Sequence, residues 1–473
     1  MDFKSVTFLL FLPVVLGLFY AWASRRWRTW LLVVASYVFY GAWDWRFLFL
    51  LLASTVIDFF CGRAIEAGRK TAAGKSPRLP LIISLCSNLG ILGVFKYFDF
   101  FSESATSLLQ TFGMAATPFT LNVVLPVGIS FYTFQTLSYT INVYRGKLAA
   151  ERSFPTFALY VSFFPQLVAG PIERATRLLP QLQELGGARW QQVREGCWLI
   201  LYGYFLKVFV ADNMADIANG IFAQDDPGGL VVLLGAYAFA FQIYGDFGGY
   251  SSIARGIARL FGVELMLNFN APYLSRTPSE FWQRWHISLS SWLRDYLYIP
   301  LGGNRLGERR TYINLFLTML LGGLWHGAAW TFVIWGILHG ILLIVYRLVP
   351  RLRDGFRSNR FSPLGILQIL VWFHLTCLTW LAFRAESLPH LLSMLGGFSD
   401  LGIHLGSGLG QAIPLFAIAA PLVVLDLWQL RSGDIAKATE LPLFVRTPLY
   451  AILFLLIVVA GEFKDYDFIY FQF

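Results

Sequence analysis

Apolar residues fill long stretches of this chain, and the interruptions between them are clusters of arginine and lysine. The first run extends from Val6 to Ala23 and is followed by Arg25, Arg26 and Arg28. Another, from Leu315 to Val345, lies between Arg305, Arg309 and Arg310 on one side and Arg347, Arg351 and Arg353 on the other. A helix rises about 1.5 Å per residue, so about twenty mostly apolar residues cross the hydrocarbon layer. Roughly eleven or twelve such segments, short, tilted or re-entrant ones included, can be placed along the chain. The pattern predicts an all-α polytopic membrane protein, with residues 1–473 forming a single transmembrane domain.

Composition sharpens this picture. Of 473 residues 56% are hydrophobic and 14% charged, and the mean hydropathy is +0.58, which leaves no room for a soluble domain. A net charge of +9 would suggest nucleic acid as a partner of a soluble protein. Here the basic residues collect in loops instead. Arg25 to Arg28, then Arg63, Arg69, Lys70, Lys75 and Arg78, then Arg145, Lys147 and Arg152 alternate with SESATSLLQTFGMAATPFT, which has no lysine or arginine, and with the acidic AQDDPGG at 223–229. Basic loops stay in the cytoplasm. Continuing the alternation places residues 255–310 inside, the segment around His390 and His404 outside and residues 431–446 inside. Both termini are then periplasmic in the inner membrane of a Gram-negative host, with anionic lipid as a neighbour. The charges after Val6–Ala23 follow the run, apart from Lys4, so the run reads as a retained anchor. Cys61, Cys86, Cys197 and Cys377 form no metal-ligand or disulfide spacing.

Two stretches carry candidate chemistry. In the first, Thr277 as N-cap, Pro278 at the first helical position and Glu280 three residues after the cap predict a helix start. Trp282, Trp285, His286, Leu289, Trp292, Leu293 and Tyr296 continue it as one apolar face, opposite Gln283, Arg284, Ser288, Ser291 and Asp295. Pro300, Gly302 and Gly303 end it, so residues 268–310 are expected to form a cytoplasmic amphipathic helix region along the membrane. His286 on such a face is ordinarily a hydrogen-bonded core residue.

The second stretch is residues 311–346, bracketed by basic clusters and so entering and leaving on the same side as a helical pair. GGLWHGAAW lies at its break, with Gly322, Gly323 and Gly327 as close-packing points. His326 then lies at membrane depth, where an ionisable residue is a functional candidate. A buried neutral imidazole can take a proton from a hydroxyl, although no neighbouring carboxylate is present to orient it. GISF at 128–131 lacks the second glycine of a nucleophile elbow. No HExxH or carboxylate–histidine cluster suggests a metal. Direct transfer of an activated acyl group to a hydroxyl requires neither.

FWQRWHISLSSWLRDYLYIPLGGNR followed by GGLWHGAAWTFVIWGILHG resembles the membrane-bound O-acyltransferase (MBOAT) superfamily, and within it the bacterial alginate O-acetyltransferase, AlgI-like branch. PVGISFYTFQTLSY at 126–139, FPQLVAGPIERA at 164–175, DFGGYSSIARGIARLFG at 246–262 and the terminal FIYFQF extend the likeness from about residue 126 onward.

The resemblance implies a ring of helices around a thin centre, with a tunnel that admits an acyl donor from the cytoplasm and an acceptor from the other side. It places the family's signature histidine at His326, as general base, and its second polar position at His286, as partner. Trp325, Gly327, Arg284, Asp295, Asn304 and Arg305 share these motifs without an individual role. His339 ranks below the pair, and His374, His390 and His404 match nothing. Asp58 and Asp246 are expected near membrane ends.

The implied activity is an inner-membrane O-acyltransferase that moves acetyl groups toward an exported polysaccharide such as alginate, cellulose or peptidoglycan. Acetyl-CoA or an acyl carrier protein would be the donor, with no bound cofactor. Periplasmic acetyltransferase proteins and the polysaccharide export machinery would be the partners. The alternatives are a D-alanyl transferase for teichoic acid, and a transporter of an acylated or anionic metabolite with histidine proton relays. No internal repeat supports the transporter.

Overall fold

A computed structural model describes the chain except residues 72–76, 226, 350–359, 400–404, 465, 467, 472 and 473. Lys75, Arg351, Arg353, His404 and the end of FIYFQF therefore lie outside the described residues. Among the described residues the regular structure is entirely helical. Seven helices among the described residues are long and apolar enough to cross a membrane: Trp45–Thr71, Arg78–Thr111, Gly229–Leu260, Trp330–Leu348, Pro363–Arg384, Gly410–Ser432 and Leu443–Ala460. Val6–Ala21 is a shorter apolar helix. The chain groups into two compact units, one of residues 1–197 and 253–266, the other of residues 198–252 and 267–473.

The first unit contains α1 (Val6–Ala21), α2 (Arg25–Gly41), α3 (Leu48–Thr71), α4 (Arg78–Leu92), α5 (Phe98–Thr111), α6 (Ile129–Tyr144), α7 (Phe154–Ser162), α8 (Phe164–Leu167) and α9 (Ala175–Gln183). Its α3, α4 and α6 pack together around a buried polar cluster. Ser84 donates to Asp58 Oδ1 at 2.5 Å, Asn88 Nδ2 donates to Asp58 Oδ2 at 2.8 Å, and Ser54 and Thr136 donate to Asn88 Oδ1 at 2.8 and 3.2 Å. Asp58 thus lies mid-span in α3 and not at its end. The amide and hydroxyl donors supply hydrogen bonds that hydrocarbon cannot.

Two helices, α10 (Trp190–Tyr204) and α12 (Gly229–Leu260), are divided between the units; α11 (Asp212–Phe222) belongs to the second. Residues 205–211, between α10 and α11, form a π-helical stretch. Residues five apart are turned well away from each other in an α-helix, but a π-turn brings them back toward alignment. Lys207 accordingly reaches Asp212 at 2.8 Å, and also Asp246 of α12 at 2.8 Å. Asp246 too lies inside its helix instead of at an end, and its Oδ2 accepts the backbone N–H of Ile469 at 2.6 Å.

The second unit continues with α13 (Pro278–Arg284), α14 (Ile287–Leu293), α15 (Glu308–His326), α16 (Trp330–Leu348), α17 (Pro363–Arg384), α18 (Leu388–Gly396), α19 (Leu405–Ser432) and α20 (Leu443–Ala460). The pair expected over residues 311–346 is α15 and α16, joined by three residues. Its glycines act as contact points: a Cβ on Gly336 would stand 2.5 Å from the Met319 carbonyl oxygen, and one on Gly323 would collide with the carbonyl of Phe332. Two helices approach this closely only where side chains are missing. All four cysteines are free.

Candidate active site

The helix expected to run on from Thr277 starts as read. The Thr277 hydroxyl accepts the Glu280 N–H at 3.0 Å, with Pro278 in the first turn. It stops early, however. α13 ends at Arg284, α14 begins at Ile287, and His286 between them has φ +41° and ψ +55°, the left-handed region. This corrects the single amphipathic helix. The cause is non-local: the chain at 268–270 pairs with the joint through Asn270 N–H to Arg284 O and Ile287 N–H to Asn268 O, both 2.9 Å. A left-handed conformation costs a non-glycine residue roughly 1 kcal/mol or more and persists only where its surroundings impose it.

The joint buries His286 completely, at 0% exposure. Its Nδ1 lies 3.1 Å from Asn268 Oδ1, and the edge of its ring meets Phe247 with centroids 4.6 Å apart. His286 lies outside the seven crossing helices, and burial pushes its pKa down to about 3. The ring is therefore neutral, and a neutral imidazole has one protonated and one lone-pair nitrogen.

His326 is the last residue of α15 and is 3% exposed. Its ring is walled by Trp325, Trp335, Phe383 and Tyr470, with centroids at 5.1, 5.0, 5.3 and 5.7 Å. Two elements far apart in sequence thus bring the two predicted histidines together, with ring centroids 6.3 Å apart. Tyr470, from the FIYFQF stretch, faces both rings, at 5.7 Å from His326 and 6.4 Å from His286. The Asp246–Ile469 bond fixes that stretch, and Phe468 and Tyr470 cover Phe247 at 6.0 and 4.5 Å.

The remaining motif residues separate from the pair. Glu280 binds Arg284 at 3.0 Å, Arg276 at 3.7 Å and also Arg360. Arg284 also donates to Asn270 O at 3.1 Å, so it braces the joint. Asp295 pairs with the adjacent Arg294 at 2.8 Å, while Asn304 and Arg305 are exposed in the loop before α15. Gly327 ends α15 against the Phe332 ring. His339 bonds Thr379 through Nε2 at 3.0 Å. The Thr379 hydroxyl already donates to Thr376 O, so His339 Nε2 is the donor, while its buried Nδ1 has no hydrogen-bond partner among the described residues.

Sequence reasoning missed Asn268, whose side-chain oxygen meets His286 Nδ1. It also missed the Lys207–Asp212–Asp246 group. A lysine five residues before an aspartate in the otherwise apolar ILYGYFLKVFVAD was the available signal for the latter.

Two buried imidazoles from separate segments thus meet inside a helical membrane protein. The membrane-bound O-acyltransferase family matches residues 145–384, and the chain belongs to that family; it is an O-acyltransferase. Among its relatives is a "probable alginate O-acetylase AlgI" of Pseudomonas putida, 43% identical over 406 residues, covering 85% of this chain and 81% of the relative. A peptidoglycan O-acetyltransferase of Helicobacter pylori is 37% identical over 399 residues, 78% of this chain and 73% of the relative. A teichoic acid D-alanyltransferase of Bacillus subtilis is more distant, 28% identical over 291 residues, 57% and 71% of the two chains.

Proposed function

We propose that this chain transfers acetyl groups from a cytoplasmic thioester, acetyl-CoA or an acyl carrier protein, toward an exported polysaccharide, and that His326 and His286 carry the step. The observation behind this is the meeting of two buried imidazoles, centroids 6.3 Å apart, within aromatic walls. In the transfer, an acceptor hydroxyl oxygen attacks the thioester carbonyl, forming a C–O bond. The C–S bond breaks, and the hydroxyl proton passes to an imidazole and from there to the departing sulfur. His326 takes this proton. It terminates α15, where the negative end of the helix macrodipole faces the positive charge that forms. His286 holds the hydroxyl in place.

Acetyl is favoured over D-alanyl because the relatives named as O-acetylases and O-acetyltransferases are the more similar ones. The inner membrane, periplasmic termini and periplasmic acetyltransferase partners complete the reading. The test is labelled acetyl transfer from acetyl-CoA in membranes carrying the full chain, together with acetylation of the cell's polymer. Wild type should transfer and His326→Ala should not, with equal amounts of inserted protein. Unchanged transfer by His326→Ala would refute the assignment of the base.

A further inference from the structure

Asn268 is wholly buried on the loop after α12, and every polar atom of its side chain is engaged. Its Oδ1 accepts from the Ser288 backbone N–H at 3.2 Å, from the Ser288 hydroxyl at 2.9 Å and from His286 Nδ1 at 3.1 Å. Its Nδ2 donates to Ser251 Oγ at 3.1 Å. A backbone N–H can only donate, so the amide atom it meets is the oxygen, which fixes which way the amide faces. The single proton of the Ser288 hydroxyl goes to this oxygen at 2.9 Å, not to His286 Nδ1 at 3.4 Å. His286 Nδ1 therefore faces acceptors and bears the ring proton.

We infer that Asn268 is a positioning residue for acyl transfer, holding His286 in the Nδ1–H tautomer so that Nε2 is the ring's hydrogen-bond-accepting atom. This rests on the function proposed above and assigns the partner histidine a definite task. A neutral ring whose Nε2 bears a lone pair can accept the O–H hydrogen bond of an incoming alcohol as it enters, before that one hydrogen turns to His326, which takes the proton. The His286 ring cannot donate a hydrogen bond through that atom to the acyl carbonyl. His286 therefore manages the acceptor side of the reaction, and stabilisation of the carbonyl oxygen falls to other donors. The left-handed joint serves the same end. With the backbone of residues 268–270 bonded to residues 284–287, the ring and the amide belong to one framework and cannot drift apart.

Two measurements on the full chain test this. The first is the ¹⁵N spectrum of protein labelled at histidine, with the His286 signals identified by their loss in His286→Gln. Nδ1 should resonate as a protonated nitrogen and Nε2 as an unprotonated one; a protonated Nε2 overturns the inference without any change at Asn268. The second compares Asn268→Leu, which removes the acceptor, with Asn268→Asp, which keeps one facing Nδ1. Acetyl transfer from labelled acetyl-CoA should lose about 10²-fold in kcat in Asn268→Leu, with KM little changed and the His286 tautomer mixed, and Asn268→Asp should recover most of the loss. Wild-type kcat in Asn268→Leu, while His286→Ala and His326→Ala lose transfer, overturns the role of Asn268 and leaves the function standing. Unimpaired transfer by both histidine variants overturns the histidines' part in the step, and no transfer by wild type overturns the function itself. If Asn268→Leu fails to fold, the wild-type spectrum still decides.

Discussion

The two histidines reach the same place by opposite means. His286 sits in a strained joint between two short helices, and hydrogen bonds to a buried amide set its ring. His326 ends a long helix whose glycines let it lie close against its neighbour, and aromatic rings in edge and tilted contacts surround its own. One mounting is polar and directional; the other depends on volume. Hydrogen bonds select a tautomer, whereas packing selects a position. A site that needs one group to present a defined lone pair and another to gain and lose a proton can use both.

Substitutions of different kinds should break the two mountings separately. The largest effect is expected from Trp335→Ala, which opens a cavity beside His326 and should cost about 3–5 kcal/mol in thermal or denaturant unfolding in detergent. Transfer should fall while the His286 ¹⁵N signals stay unchanged. Gly336→Val, which forces a side chain against the Met319 carbonyl, should cost about 1–3 kcal/mol by the same measurement and loosen His326 first. Ser288→Ala strikes the polar mounting; losing one hydrogen bond to Asn268 Oδ1 should cost about 1 kcal/mol. The His286 signals, and not those of His326, should respond.

A separate effect is in pH. The pKa of His286 is 6.5 in the unfolded chain and about 3 in the folded protein. The folded value is the lower one, so this ring's contribution to stability is complete above 6.5 and is lost as pH falls toward 3. His286→Gln should flatten that part of the acid-unfolding curve. Above the acid range in which His286 titrates, the pH profile of whatever transfer remains in His286→Gln should keep its wild-type shape; a changed profile there would show that the ring titrates nearer neutrality.

The helix start at Thr277 and the close-packing glycines of the 311–346 pair were legible because each rests on neighbours in sequence. A cap needs a hydroxyl and three following residues, and a helix contact needs small residues one turn apart. The break at His286 was hidden because Trp282, Trp285, Leu289 and Trp292 keep a helical apolar spacing straight through it; both short helices bury the same side. What interrupts the helix is backbone pairing with residues 268–270, and periodicity contains no term for that. Asn268 was invisible for the same reason: an asparagine in a loop gains its meaning only from the imidazole eighteen residues later. Asp58 and Asp246 were expected near membrane ends because a carboxylate in hydrocarbon is costly. Hydroxyl and amide donors surround the first and Lys207 meets the second, and the sequence lists those partners without joining them.

The bond from the Ile469 N–H to Asp246 bears on the order of translation. The ribosome delivers both imidazoles well before Phe468 and Tyr470 emerge, yet those two rings cover the flank at Phe247 and His286. A nascent chain stalled just short of them would already be threaded into the bilayer, with the flank at Phe247 and His286 uncovered.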